Sequence, residues 1–272
     1  MSRIRLVQMW LSECRFQATT PMSTSRNTLV HAFDTLLQPA QFKDYGPNGL
    51  QVEGRQEIRR LISGVTASLA LIEAAIEAKA DTIFVHHGLF WRGQDGRVTG
   101  WMKQRLSRLL AHDINLIAYH LPLDAHPTLG NNAQLAKVLG IALEEGARFG
   151  EQALGFVGQR PAEPAETLAT HVERALGRPV TLVNPPGRVV RRIGLCTGGA
   201  QGYFEAAIAA GVDAFITGEI SEPQAHYARE CGVAYLACGH HASERYGAPA
   251  VAAHVASALG VEHRFIDIPN PA

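Results

Sequence analysis

Short apolar runs of strand length recur along this chain, each followed by a stretch rich in helix formers. The clearest case occurs twice, and a repeat on this scale sets the frame for everything else. RRLISGVTASLALIEAAIEAKADTIFV, from Arg59 to Val85, aligns without gaps to RRIGLCTGGAQGYFEAAIAAGVDAFIT, from Arg191 to Thr217, 132 residues further on. Arg59, Arg60, Glu73 and Asp81 recur as Arg191, Arg192, Glu205 and Asp213, with a shared Ala-Ala-Ile in the helix between them. Each copy reads as strand, turn, helix, strand. With no tight hairpin signal between its strands, it predicts a parallel pair joined by a right-handed crossover. The likeness resumes at an offset of 120, where NLIAYHLPLD holds His120 and Asp124 and AYLACGHHASE holds His240 and Glu244. Both copies therefore carry His-x-x-x-acid just past a third apolar strand.

The pattern divides the chain into unequal parts. Residues 1–21 have no regular period, end in Pro21, and carry an apolar stretch too broken for a signal peptide. Met22 then opens STSRNTLVHAFDTLLQ, a helix start with Ser and Thr available as N-caps. Residues 1–21 are expected to be a non-native or disordered extension, with Met22 the natural start. Residues 22–126 and 191–272 form the expected duplicated α/β core. Between them, GFVGQR and VTLVN read as strands and AETLATHVERALG as a helix, so residues 127–190 are expected to form an inserted small α+β domain.

Composition narrows the function classes. Lys+Arg and Asp+Glu are both 25, so there is no long-range pull toward nucleic acid or acidic lipid. No apolar run approaches the roughly 20 residues of a membrane helix, and a cytoplasmic protein is expected. The four cysteines form neither a CxxC pair nor a disulfide framework, and Cys196 and Cys238 fall in apolar runs that suit buried thiols.

The 12 histidines matter through their placement. His86 and His87 end the strand-like DTIFVHHG, Asp124 follows NLIAYH, and His240 and Glu244 follow VAYLAC. In parallel α/β sheets, sites form outside the carboxyl ends of strands, and imidazole with carboxylate suits divalent zinc, iron or manganese. Singly, each has a plainer reading. Adjacent strand residues point to opposite faces, Asp124 suits a helix cap or turn, and Glu244 suits a helix dipole. Three strands ending together in metal-type ligands favour a metal site. His120, His126, His241, Glu219 and Glu222 lie nearby as candidates to support ligands or pass protons, with His120 and Glu219 foremost. CTGGAQG reads as a tight strand-to-helix turn, or as a weak phosphate cradle.

YGPNGLQVEG, FVHHGLFW, AYHLPLDAHP followed by GNNAQLAKVLG, ITGEISEPQAHYARE and GHHASERYG together resemble the YbgI type of the Nif-three-like dinuclear-metal-centre proteins, from about Met22 onward. The resemblance implies a Nif-three-like fold of interlinked α/β lobes and a homohexameric ring built as a trimer of dimers. It implies two divalent metal ions per subunit, held by His86, His87, Asp124, His240 and Glu244. In that carry-over Glu244 bridges the ions, Asp124 and one of the His86–His87 pair complete one, and His240 with the other histidine completes the second. It also brings the label GTP cyclohydrolase I type 2 homolog. The expected activity is metal-dependent hydrolysis of a nucleotide-like or small polar substrate, cyclohydrolase-like at C8 of a guanine or phosphoesterase-like at phosphorus. The rival readings are a non-catalytic ring for metal storage, delivery or sensing, and an interaction scaffold.

Overall fold

The computed structural model describes residues 22–272, so the expected extension at 1–21 lies outside the described residues. Two sheets organise the chain. In the first, Glu262–Phe265, Arg60–Thr66, Thr82–His87 and Asn115–Ala118 run parallel in that order, with Gly49–Val52 antiparallel at the edge. In the second, Val189–Leu195, Ala214–Thr217 and Ala234–Ala237 form the parallel centre. Gly155–Pro164 and then Ala142–Phe149 extend one side antiparallel, and Thr181–Val183 closes the other. Residues 127–190 thus supply flanking strands to the second sheet rather than a sheet of their own, and their helix Ala165–Leu176 packs on it.

Both sheets are covered on both faces, which is why their strands read as continuous apolar runs. Leu61, Phe84 and Ile117 face the helices Arg26–Leu37 and Gly247–Leu259. Ile62, Ile83 and Leu116 face Leu69–Glu77 and Gly100–Ala111. In the second sheet, Ile193, Ile216 and Leu236 meet Ala165–Leu176, while Phe215 and Tyr235 meet Phe204–Ala209 and Glu222–Cys231. The lobes are interlinked. Helix Gly247–Leu259 leaves the second sheet to pack on the first, and helix Asn131–Val138 leaves the first to join the second core. Ser25 caps Arg26–Leu37 by accepting from Thr28 N at 3.0 Å, as the Ser/Thr-rich start predicts. Among the described residues no helix is long and apolar enough to cross a membrane.

The residues that betray the repeat are structural. Asp81 accepts from the backbone N–H of Arg59 and Arg60 at 2.8 and 2.9 Å, and Asp213 does the same for Arg191 and Arg192 at 3.0 and 2.8 Å. Arg55 then pairs with Asp81 and Arg188 with Asp213. Strand register corrects one part of the sequence alignment. Val85 pairs with Ala118 and Thr217 with Ala237, so the third strands correspond at 119 residues, not 120. His120 is therefore the counterpart of Gly239, and Asp124 of Ser243; the repeated His-x-x-x-acid is a one-residue slip from true equivalence.

Candidate metal centre

The carboxyl ends of both sheets meet, and four imidazoles and two carboxylates gather between them. His86 and His87 end Thr82–His87, Asp124 lies in the short helix Leu121–Ala125, and His240 and Glu244 open and close the short helix His240–Glu244. Glu244 is almost wholly buried and reaches across from the second lobe. Its Oε1 lies 3.4 Å from His86 Nε2, which is itself 3.5 Å from Asp124 Oδ1. Its Oε2 lies 3.3 Å from His87 Nε2 and 3.1 Å from His240 Nε2. Two groups able to hold a metal ion result, His86–Asp124–Glu244 and His87–His240–Glu244, sharing one carboxylate. A third, His86–His87–His120, overlaps them. The strict alternation of strand side chains fails at the strand's end, where the rings of His86 and His87 lie 4.4 Å apart.

Each imidazole is tied at Nδ1, leaving Nε2 for the centre. His86 Nδ1 donates to the Tyr119 carbonyl at 3.1 Å and His240 Nδ1 to Glu219 at 2.6 Å. His87 Nδ1 meets Thr66 Oγ1 at 3.0 Å and His120 Nδ1 meets Asp44 at 2.7 Å. Fixing one ring nitrogen sets the tautomer and aims the other, the usual arrangement behind metal-binding histidines. The buried atoms His86 Nε2 and Glu244 Oε2 have no hydrogen-bond partner. Such groups are costly to bury unsatisfied, and a cation at this point would satisfy both. The donor set fits a divalent metal.

The electrostatics agree. Burial pulls the His86 pKa down, but the carboxylates of Asp124 and Glu244 outweigh it and hold it up at about 9. Burial likewise opposes protonation of His240, yet Glu244 and Glu219 raise it to about 9. His87 is lowered to about 3, by burial first and then by the neighbouring imidazoles against the pull of Glu244. Burial raises Asp124, whereas the surrounding imidazoles hold Glu244 well below the usual carboxylate range despite its burial.

Sequence reasoning places His86, His87, Asp124, His240 and Glu244 together, and the structure gathers those five with His120, while Glu219 stands behind His240. Three other candidates are used elsewhere. His126 accepts from the Leu129 backbone, His241 pairs with Asp267 at 2.9 Å, and Glu222 pairs with His226. The CTGGAQG turn is no phosphate cradle at its start. The Thr197 N–H is taken by Asn132 and the Gly198 N–H by Ser243. Gly198 has φ +71°, and a Cβ there would stand 2.0 Å from Glu244 Oε1.

Several supporting residues escape the sequence reading. Asp44 accepts from His120, from Asn48 at 2.9 Å and from Leu121 N at 2.9 Å, bonds that outweigh burial and lower its pKa. Asn131 donates to Asp124 Oδ1 at 2.9 Å, and Asn132 donates to the Asp124 carbonyl. Both asparagines are fully buried. Adjacent amides at a helix start, in GNNAQ, were the available signal. Outside the cluster, the ring of Trp91 lies 5.0 Å from that of His120 and the ring of exposed Tyr45 6.0 Å from it.

Comparison with known proteins now decides the family. Residues 24–271 match the model described as Duf34/NIF3 (NGG1p interacting factor 3). The chain belongs to the Duf34/NIF3 family. A Pseudomonas aeruginosa relative named GTP cyclohydrolase 1 type 2 homolog is 52% identical over 254 residues, covering 92% of this chain and all (100%) of the relative. An Escherichia coli relative of the same name is 46% identical over 253 residues, covering 91% and 100%. Among solved structures, protein ybgI, described as of unknown function, superposes with a TM-score of 0.87 at 44% identity, covering 92% of this chain and 100% of that one. TTHA1606 from Thermus thermophilus gives 0.83 at 32% identity, with coverage of 92% and 100%. The Duf34/NIF3 fold is thus the interlinked α/β arrangement described above.

Proposed function

We propose that this protein holds two divalent metal ions and is a metal-dependent hydrolase acting on a nucleotide-like or other small polar substrate. The observation that carries the reading is Glu244, whose two oxygens each face a separate imidazole group. In this reading His86, Asp124 and Glu244 would hold one ion, and His87, His240 and Glu244 the other. Zinc, iron and manganese all suit these donors. When bound, such ions supply Lewis-acid chemistry and lower the pKa of water.

The chain's own residues do the rest. His120, tied at Nδ1 to buried Asp44, presents Nε2 beside the cluster, where it holds or passes a proton. Glu219 fixes the His240 ring so that its Nε2 faces Glu244. A space of about 10 Å³ lies beside His86 and His120, walled by Asn48, Gln51, Phe90 and Trp91, about the size of one water. The indole of Trp91 walls this space, and the exposed Tyr45 ring lies 6.0 Å from that of His120. They suit a planar base, and the relatives' name supports a guanine nucleotide as the first substrate to try. Assembly into a ring of like subunits belongs to the same proposal.

Elemental analysis of anaerobically purified protein tests the core of the reading. Wild type should carry about two ions per chain, and the double variant His240→Ala, Glu244→Ala none. Absence of stoichiometric metal after reconstitution would overturn it. Loaded wild type that leaves GTP and simple phosphodiesters untouched would overturn the hydrolase half alone.

A further inference from the structure

Behind the short helix that carries His240 and Glu244 lies a cleft of about 380 Å³, separate from the cluster. That volume is in the range occupied by small-molecule sites. Its walls include Arg178 at the end of helix Ala165–Leu176, Arg245 and His241 on the other side, and Asp267 with the segment 269–271 as a roof. Arg245 lies 3.6 Å from Asp267, which leaves Arg178 as the guanidinium of the cleft with no side-chain carboxylate beside it. Arg178 turns both of its terminal nitrogens to main-chain oxygens of the roof, Nη1 to Ala272 O at 2.8 Å and Nη2 to Pro271 O at 3.0 Å. Two oxygens on one guanidinium fork are what a carboxylate or phosphate presents.

The roof also braces the metal-side helix. The Ala272 main-chain oxygen accepts from His241 N at 3.2 Å, in the first turn of His240–Glu244. Gly239, the residue just before that helix, has φ +98°, and a Cβ there would stand 1.9 Å from Arg178 Nη1. The guanidinium therefore packs directly beneath the turn that presents His240. Pro269, Asn270, Pro271 and Ala272 are all exposed, so their release uncovers no core.

We propose that this cleft is a second binding site, for a small molecule bearing a carboxylate or phosphate group. The ligand takes Arg178, displaces the main-chain oxygens of Pro271 and Ala272, and removes the brace on the helix that carries His240 and Glu244. The segment 269–272 acts as an internal competitor that keeps the fork occupied until the anion arrives. This goes beyond the hydrolase reading, and only its metal-release readout rests on the metal half of that reading.

Calorimetric titration of the metal-loaded protein with inorganic phosphate, and separately with succinate, tests the proposal. At least one should bind wild type, and which one does tells phosphate from carboxylate. Arg178→Gln should weaken that binding at least tenfold. A chain shortened after Ile268 should bind several-fold more tightly, because its competitor is gone. The same ligand should change the rate at which a chromogenic chelator strips metal from wild type, but not from Arg178→Gln. Equal affinity in wild type and Arg178→Gln would place the anion elsewhere, the metal cluster included, and overturn the proposal. So would failure of both anions to bind wild type and the shortened chain, or a shortened chain that binds no more tightly.

Discussion

Glu244→Gln keeps the size of the side chain and removes the charge that three imidazoles surround. The expected outcome is a folded chain with almost no bound metal, read by elemental analysis beside circular dichroism. Gly198→Ala acts on the same carboxylate from the other side. A non-glycine residue at its φ of +71° costs about 1–2 kcal/mol, and the added methyl must push Glu244 away. We expect a lower midpoint in thermal unfolding together with reduced metal content, whereas Gly187→Ala, also at positive φ but with nothing near its Cβ, should lower stability alone. Protons compete for the same atoms. His86 and His240 are held at about 9, above the ordinary 6.5. In the metal-free chain their stabilisation is complete below about 6.5 and is lost as pH rises through about 9. Metal must displace those protons, so its affinity should climb across the same window. Calorimetry of metal binding in buffers of different ionisation enthalpy should therefore show proton release at neutral pH.

At the scale of elements, the duplicated strand–helix–strand is held by Asp81 and Asp213, each accepting from two backbone amides and an arginine. Hydrogen bonds to a charged group contribute about 1.5–3 kcal/mol each, less where water competes. The Asp81 side chain is 12% exposed and that of Asp213 29%. Asp81→Ala should therefore destabilise the chain more than Asp213→Ala in urea unfolding, by about 1 kcal/mol or more. These aspartates also explain what the sequence made legible. Strand starts fixed by a local Arg-Arg and a later Asp leave a repeated mark, and buried parallel strands leave apolar runs that end at His87, near Asp124 and near His240. Edge strands such as Thr181–Val183 and Ala142–Phe149 are short or partly exposed, so nothing in them announced which sheet they join. The slip between offsets of 120 and 119 arose because His120 and His240 look alike in sequence, while only the hydrogen-bond ladder tells them apart.

Across the whole molecule, the candidate centre takes side chains from both lobes, so a ligand there ties the lobes together. Stripping metal with a chelator should lower the unfolding midpoint, and restoring it should recover the loss. At a free metal concentration a thousandfold above Kd the linkage amounts to about 4 kcal/mol. Differential scanning calorimetry with and without chelator reads it. This scale was the least legible in sequence. Asp44 meets His120 across 76 residues and Thr197 meets Asp124 across 73, and such pairings leave no periodic trace. The duplication carries one more consequence. His87 and Glu219 stand 132 residues apart, at the same place in the two repeated frames. One turns an imidazole to Glu244 and the other turns a carboxylate to His240. With folding assigned to Asp81 and Asp213 at the far ends of the strands, the near ends were free to diverge. A symmetrical ancestor would thereby have placed unlike groups at one position, an imidazole that grips in the first copy and a carboxylate that orients in the second.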